Sequence, residues 1–266
     1  MQKYINETIQ SNIPPEVSII IPAYNEEKRI IPVLNEIQNL ITERNLNWEV
    51  IVAVDGEDKT LQIVNSYEQN CHTIKANHSI KREGMGGAIK RGILSSSGEL
   101  LILMDSDGST SLKDLLNSIS MLETELYQII NFDRYTLKVN FIPLKRRLAS
   151  RVFNIILRGI FRIDVNDTQC GYKLMRRDAI LPFLKSITVS NAFFLTALFI
   201  YSKNAGLKTT EIPIKYEHSY GSKFNIIMTG LSYMVSITAF FLKNSKYFNR
   251  IPTPLKNLYY KKLRYL

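Results

Sequence analysis

Two acids one residue apart, Asp105 and Asp107, close the run Leu100-Leu-Ile-Leu-Met-Asp-Ser-Asp-Gly-Ser-Thr110. In extended chain, residues i and i+2 point the same way, so both carboxylates share one side. Like charges so placed repel and call for a cation between or near them. A hard divalent metal carrying substrate phosphates suits such oxygen donors. The same Asp, Ser and Gly residues also make an ordinary polar turn between strand and helix. A second chemical signal is Lys81-Arg-Glu-Gly-Met-Gly-Gly-Ala-Ile-Lys-Arg-Gly92, where glycines open a helix and let a phosphate or sugar approach the backbone. The spacing Gly84-x-Gly86-Gly87 is not the dinucleotide fingerprint, and a flexible loop is the plainer alternative. A third signal is the basic segment from Lys138 to Arg177, which includes Lys145, Arg146, Arg147, Arg151, Arg158, Arg162 and Lys173.

These residues need elements to hold them. The apolar run Leu100 to Met104 suits a strand buried on both faces, with the two acids at its C-terminal end, where open α/β sheets place ligands. Val17-Ser-Ile-Ile-Ile-Pro22 reads as a first strand, followed by the polar loop Ala23 to Glu27. Ile30, Val33, Leu34, Ile37, Leu40 and Ile41 then recur at helical spacing. Glu49 to Val54 reads as a second strand, and Asp58 is placed to cap a helix carrying Leu61, Ile63, Val64 and Tyr67. Cys71 to Ala76 is a weaker third strand. Ser111 is expected to cap one helix carrying Leu112, Leu115, Leu116, Ile119 and Leu122, and Tyr127 to Asn131 reads as a further strand. Such repeats argue for a parallel, helix-covered sheet.

Beyond that point, Leu148, Val152, Ile155, Ile156 and Ile160 mark an amphipathic helix. Its Arg147, Arg151 and Arg158 lie at spacings of four and seven. This apolar face is long enough to seat on a membrane, although a solvated basic face is the commoner reading. Asp167 to Lys173 reads as a polar loop, Ala192 to Tyr201 as a buried helix, and Glu211 to Tyr216 as an edge strand tolerating Pro213. Phe224 to Leu242 reads as an interfacial helix followed by a tail rich in Lys, Arg and Tyr, or as a core helix.

The chain of 266 residues allows one large α/β domain, or a domain of about 200 residues with an appendage. A net charge of +10 favours a polyanionic partner: nucleic acid, an anionic membrane surface or phosphorylated substrates. The two cysteines, Cys71 and Cys170, lack metal-ligand spacing, so no zinc site is readable. Met1 to Pro15 is polar, without the apolar core of a secretory signal. No stretch is apolar for long enough to span a bilayer.

Taken together, Val17-Ser-Ile-Ile-Ile-Pro-Ala-Tyr-Asn-Glu-Glu27, the Gly84 to Gly92 loop, Met104-Asp-Ser-Asp-Gly-Ser-Thr110, Asp167-Thr-Gln-Cys-Gly-Tyr-Lys173, Glu211-Ile-Pro-Ile and Gly221-Ser-Lys223 resemble a family 2 glycosyltransferase of GT-A fold. The likeness is to its dolichyl-phosphate β-glucosyltransferase and dolichyl-phosphate mannose synthase branch, and runs from about Val17 to about Lys223. It implies a Rossmann-like, mostly parallel sheet covered by helices, as a GT-A domain over residues 1–223. Residues 224–266 would form an amphipathic, basic, membrane-interface segment. The implied reaction moves a hexose, with inversion, from a nucleotide sugar to dolichyl or polyprenyl phosphate. The Asp167 to Lys173 motif leans toward glucose from UDP-glucose; mannose from GDP-mannose is the alternative. An acceptor that is a lipid-linked oligosaccharide is a further one.

The resemblance also implies roles. Asp105 and Asp107 would hold Mg2+ or Mn2+ against the diphosphate, Asp107 more directly. Pro22, Ala23, Tyr24, Glu26 and Asp55 would line the base and ribose pocket, with Gly84, Gly86, Asp105 and Arg134 also on the nucleotide sugar. Arg147, Arg151 and Lys173 would orient the acceptor phosphate, and Asp167 would join Asp105, Asp107, Arg151 and Lys173 among the catalytic positions. Departures from the family's pattern are Val54 before Asp55, Met85 between the loop glycines, and no acid in Asn191 to Thr196. The last leaves no acid where the family tends to carry one near the acceptor. A phosphate monoester is mostly dianionic at neutral pH, so such an acceptor needs positioning more than deprotonation. Attachment to the cytoplasmic face of a membrane would rest on the Arg147 to Ile160 helix and on Phe224 to Leu242. Nucleic acid is disfavoured as a partner, because the basic residues flank apolar helices and no recognition signature appears.

Overall fold

The computed structural model describes residues 13–124, 126–137, 142–217, 226–243 and 252–254. Met1 to Ser11, Gly221-Ser-Lys223 and nearly all of the basic tail lie outside the described residues. A seven-stranded sheet runs in the order β3-β2-β1-β4-β6-β5-β7. Its strands are β1 (Val17–Ala23), β2 (Trp48–Val54), β3 (Ile74–His78), β4 (Leu100–Leu103), β5 (Ile129–Asp133), β6 (Lys173–Arg176) and β7 (Thr209–Pro213). β6 is antiparallel to both β4 and β5; the remaining pairs are parallel. The C-terminal ends of six strands and the N-terminal end of β6 therefore share one edge.

Strand burial follows from composition. Every residue of β2 and of β5 is buried, as expected for strands covered on both faces. On one side lie α1 (Ile30–Arg44), α2 (Thr60–Asn70), α4 (Leu112–Leu116) and α5 (Ile119–Glu123), packed on Val17, Ile19 and Ile21. On the other lie α3 (Gly84–Ser95), α6 (Leu144–Phe161), α7 (Arg177–Leu184), α8 (Phe193–Asn204) and α9 (Ile226–Lys243), packed on Ile20, Ile51 and Leu101. Alternation along β1 thus divides the core into two layers.

Several expectations shift. The stretch after Asp107 is two short helices, not one: Ser111 caps α4 by accepting from Lys113 N–H at 3.3 Å, and the chain breaks at Asn117 and Ser118. Asp58 stands one residue before the cap position of α2, yet its Oδ1 accepts the Thr60 N–H at 3.0 Å. β3 and β5 begin later than read, at Ile74 and Ile129, and β7 spans Thr209–Pro213 at the sheet edge. The Asp167 to Lys173 loop runs straight into β6, which the sequence did not announce.

α6 carries two apolar stripes. Phe153, Leu157 and Phe161 face the core. Leu144, Leu148, Val152, Ile155, Ile156 and Ile160 face outward, with Leu148 61% and Ile155 67% exposed. α9 lies against α6: the Tyr233 ring stacks on Phe153 at 4.7 Å and Phe241 on Phe161 at 5.1 Å. Tyr233 and Ile237 are buried in the core, whereas Met234 and Phe241 are exposed. Among the described residues no helix is long and apolar enough to cross a membrane.

Candidate active site

β4 ends at Leu103, and Asp105 and Asp107 follow, both half-buried, beside the ends of β1 and β2. The strand order reverses between β1 and β4, the switch point at which open sheets leave a crevice. Asp107 Oδ1 accepts the Ser109 N–H at 3.1 Å. Its Oδ2 lies 3.8 Å from the Arg29 guanidinium, which also grips Glu26 through two contacts of 2.7 Å. An arginine from the start of α1, a residue that sequence reasoning missed, thus stands beside Asp107.

The loops after β1 and β2 are laced together. Asn25, held at φ 57°, accepts the Glu57 N–H at 3.1 Å. Glu26 N–H donates to Thr60 Oγ1 at 2.8 Å. Ala23 is buried and its carbonyl accepts the Asp55 N–H at 3.0 Å; Pro22 is half-buried beside it. Tyr24 is exposed, with the Arg82 guanidinium 4.2 Å above its ring. A flat aromatic face at the strand ends is suited to stacking a base.

Asp55 and the glycines behave differently from the expectation. Asp55 Oδ2 accepts the N–H groups of Glu83 and Gly84, at 2.7 and 2.8 Å, and Oδ1 binds Arg91 at 2.9 Å. Gly86 N–H donates to the Ser190 carbonyl at 2.7 Å, and a Cβ at Gly86 would strike Phe194 Cβ at 2.5 Å. The start of α3 therefore spends its N–H groups of Gly84 and Gly86 inside the protein. Gly86 serves packing against α8, and Gly84, at φ 76°, serves the turn into α3.

Arg134 and Asp167, expected on the donor and in catalysis, pair with each other. Both are buried, and two contacts of 2.7 and 2.9 Å join them. Burial alone would lower the Arg134 pKa, but the Asp167 carboxylate outweighs it and holds the guanidinium charged. The rings of Tyr135 and Tyr216 flank it at 5.6 and 5.4 Å. The loop that Asp167 begins is supported from within. Lys173 is wholly buried, and its Nζ donates to Cys170 O at 2.6 Å, Asn131 Oδ1 at 2.9 Å and Thr168 O at 3.4 Å. Burial pulls its pKa down to about 8. This corrects the expectation for Lys173: its ammonium is enclosed by protein oxygens and does not face an acceptor. Asn131, a polar residue in the middle of a buried strand, was the available signal for this interior network; its Nδ2 reaches Asp167 O and Glu211 Oε1.

Arg147 is half-buried at the start of α6 and donates to the Tyr135 carbonyl at 3.2 Å, next to Arg134. Arg151, one turn on, is exposed. Asn154 on the same helix accepts from Thr168 Oγ1 at 2.9 Å. So one loop, Asp167 to Lys173, touches α6 on one side. On the other, its Gly171 backbone lies against Asp105, where any Cβ would collide with the carboxyl group.

Two carboxylates are too few to cage an ion alone, and among the described residues no cluster of three or more His, Cys, Asp or Glu forms a metal site. Paired aspartates whose remaining ligands are diphosphate oxygens and water fit Mg2+ or Mn2+ chemistry.

Comparison with known proteins fits this geometry. Residues 18–181 match Glycosyl transferase family 2. A dolichyl-phosphate beta-glucosyltransferase of Trichomonas vaginalis is 31% identical over 228 residues, covering 79% of this chain and 68% of the relative. The human protein of the same name is 28% identical, covering 84% of this chain and 74% of its own. In structure, the chain is similar to glucosyl-3-phosphoglycerate synthase from Mycobacterium tuberculosis in complex with Mn2+, UDP and phosphoglyceric acid. The TM-score is 0.60 with 18% identity, covering 86% of this chain and 80% of that one.

Proposed function

The chain belongs to glycosyl transferase family 2, and we propose that it moves glucose from UDP-glucose to the phosphate of a dolichyl or polyprenyl lipid at a membrane surface. The observation that carries this reading is the Asp167 to Lys173 loop. It joins the Asp105 side of the strand-end crevice to α6, whose outward face is apolar and whose Arg147 and Arg151 stand beside it. Donor diphosphate and lipid phosphate can then meet across a single loop.

In the reaction, an oxygen of the acceptor phosphate attacks the anomeric carbon from the face opposite the leaving group. The bond from that carbon to the UDP oxygen breaks, and its electron pair leaves with UDP, so configuration inverts. A dianionic acceptor needs no base, which accords with the absence of acids from Asn191 to Thr196. Asp105 and Asp107 would hold Mg2+ or Mn2+, which when bound neutralises charge on the departing diphosphate. The Mn2+ and UDP of the Mycobacterium synthase are in keeping with this. Tyr24 stacks the base, and Pro22, Ala23 and Glu26 border the ribose. Arg151, with Arg147, grips the acceptor phosphate in the paired manner of guanidinium groups. Asp167, Arg134, Asp55 and Lys173 act from within by fixing the loops.

The outward stripe of α6, with Met234 and Phe241 of α9, seats on the cytoplasmic leaflet; exposed Arg151 and Arg158 line one margin for anionic headgroups. A screen of radiolabelled nucleotide sugars against dolichyl phosphate, with and without divalent metal, tests the reading. Metal-dependent transfer from UDP-glucose is expected. Transfer only from GDP-mannose, or to a lipid-linked oligosaccharide alone, would overturn it.

A further inference from the structure

Gly171 is the point at which the Asp167 to Lys173 loop meets Asp105. A Cβ there would overlap both carboxylate oxygens and Cγ of Asp105. Gly171 is not among the residues with positive φ, so its backbone conformation does not call for glycine; the close approach does. Neighbours on both sides fix that approach. Lys173 pairs with Leu103 of β4, two residues before Asp105. Lys173 Nζ holds the carbonyl of Cys170 at 2.6 Å, and the Tyr172 hydroxyl accepts the Thr110 N–H at 3.1 Å. Gly171 is therefore a fixed wall of bare backbone against the oxygens of the carboxyl group.

We propose that Gly171 is a positioning residue for donor binding: its missing side chain lets the loop close on Asp105 and sets the carboxylate's direction toward the metal and the diphosphate. This rests on the donor and metal reading above. Such interior closeness tolerates no added methyl without a shift of loop or carboxylate.

The test compares Gly171→Ala, Asp105→Ala and the double variant, reading Mn2+–UDP affinity by calorimetry, the bound-Mn2+ electron paramagnetic resonance spectrum, and the thermal midpoint. Gly171→Ala should weaken Mn2+–UDP at least tenfold and alter the Mn2+ spectrum. In the Asp105→Ala background it should add no further loss of affinity, and the double variant should melt higher than Gly171→Ala. If Gly171→Ala does not fold, recovery of folding in the double variant supports the proposal, and a double variant that stays unfolded overturns it. Gly171→Ala with wild-type affinity overturns it too, as do losses that multiply. Wild-type protein that takes up no Mn2+–UDP overturns the donor reading itself and this proposal with it, a result separate from the others.

Discussion

The Tyr233 hydroxyl of α9 donates to Gln169 Oε1 at 2.5 Å, tying the C-terminal helix to the loop whose Gly171 abuts Asp105. Gln169 Nε2 continues to Thr196 Oγ1 at 2.6 Å, and Thr196 to Thr168 at 3.2 Å. Helices α6, α8 and α9 thus all fasten the same loop. Tyr233→Phe keeps the stack on Phe153 and removes only the hydroxyl. It should lower stability by about 1 kcal/mol in denaturant titration and leave Mn2+–UDP affinity unchanged. A large loss of donor affinity would contradict this placement.

Asp167→Asn leaves the Arg134 guanidinium buried without its counter-charge. Breaking a buried pair in this way costs about 3–5 kcal/mol, read as a fall in denaturant midpoint. The double variant Asp167→Leu with Arg134→Met should be less destabilised than the single one, because no charge is then stranded.

Lys173 gives a pH signature. Its folded pKa of about 8 lies below its ordinary 10.5, so between those values the unfolded chain binds more protons and stability rises with pH. Burial pushes the Cys170 thiol up to about 12 from 9.0, which works the other way as pH rises through 9. From pH 8 to 9 Lys173 should contribute a rise of about 1 kcal/mol, of which Cys170 offsets roughly a third. Unfolding free energies for wild type and Lys173→Met across that window check this. The rise should be absent from the variant.

The sequence made much of this fold legible, for a physical reason. β1, β2, α1 and α8 announce themselves because burial on one or both faces writes a run or a period into the residues. β6 does not, since its four residues Lys-Leu-Met-Arg continue a polar loop and begin with a lysine, a residue type that reads as surface. Lys173 is tolerable inside only because Asn131, 42 residues away in sequence, and the carbonyls of Thr168 and Cys170 in its own loop supply oxygens. The inner stripe of α6, Phe153, Leu157 and Phe161, was likewise hidden behind the outer one. Arg29 near Asp107 and Gly171 against Asp105 are long-range encounters that no local spacing encodes.

The outward face of α6 can be tested by charge. Leu148→Asp and Ile155→Asp alter residues already exposed, so stability should change little. Losing one buried Leu or Ile contact with lipid costs roughly 1.5–3 kcal/mol, so each should weaken binding to anionic vesicles about tenfold or more. Sedimentation with such vesicles reads this. Unchanged sedimentation of the double variant would exclude α6 as the docking face.

In the proposed reaction, Asp105 and Asp107 carry the donor diphosphate through a divalent metal while a lipid phosphate attacks. Wild type and Asp107→Ala, each given radiolabelled UDP-glucose and dolichyl phosphate in vesicles with Mn2+, test it most directly. Wild type should move label into the lipid phase, lose that activity on chelation, and be silenced by Asp107→Ala with the fold intact. Undiminished transfer by Asp107→Ala, or by wild type in excess chelator, would rule out this role for the two aspartates.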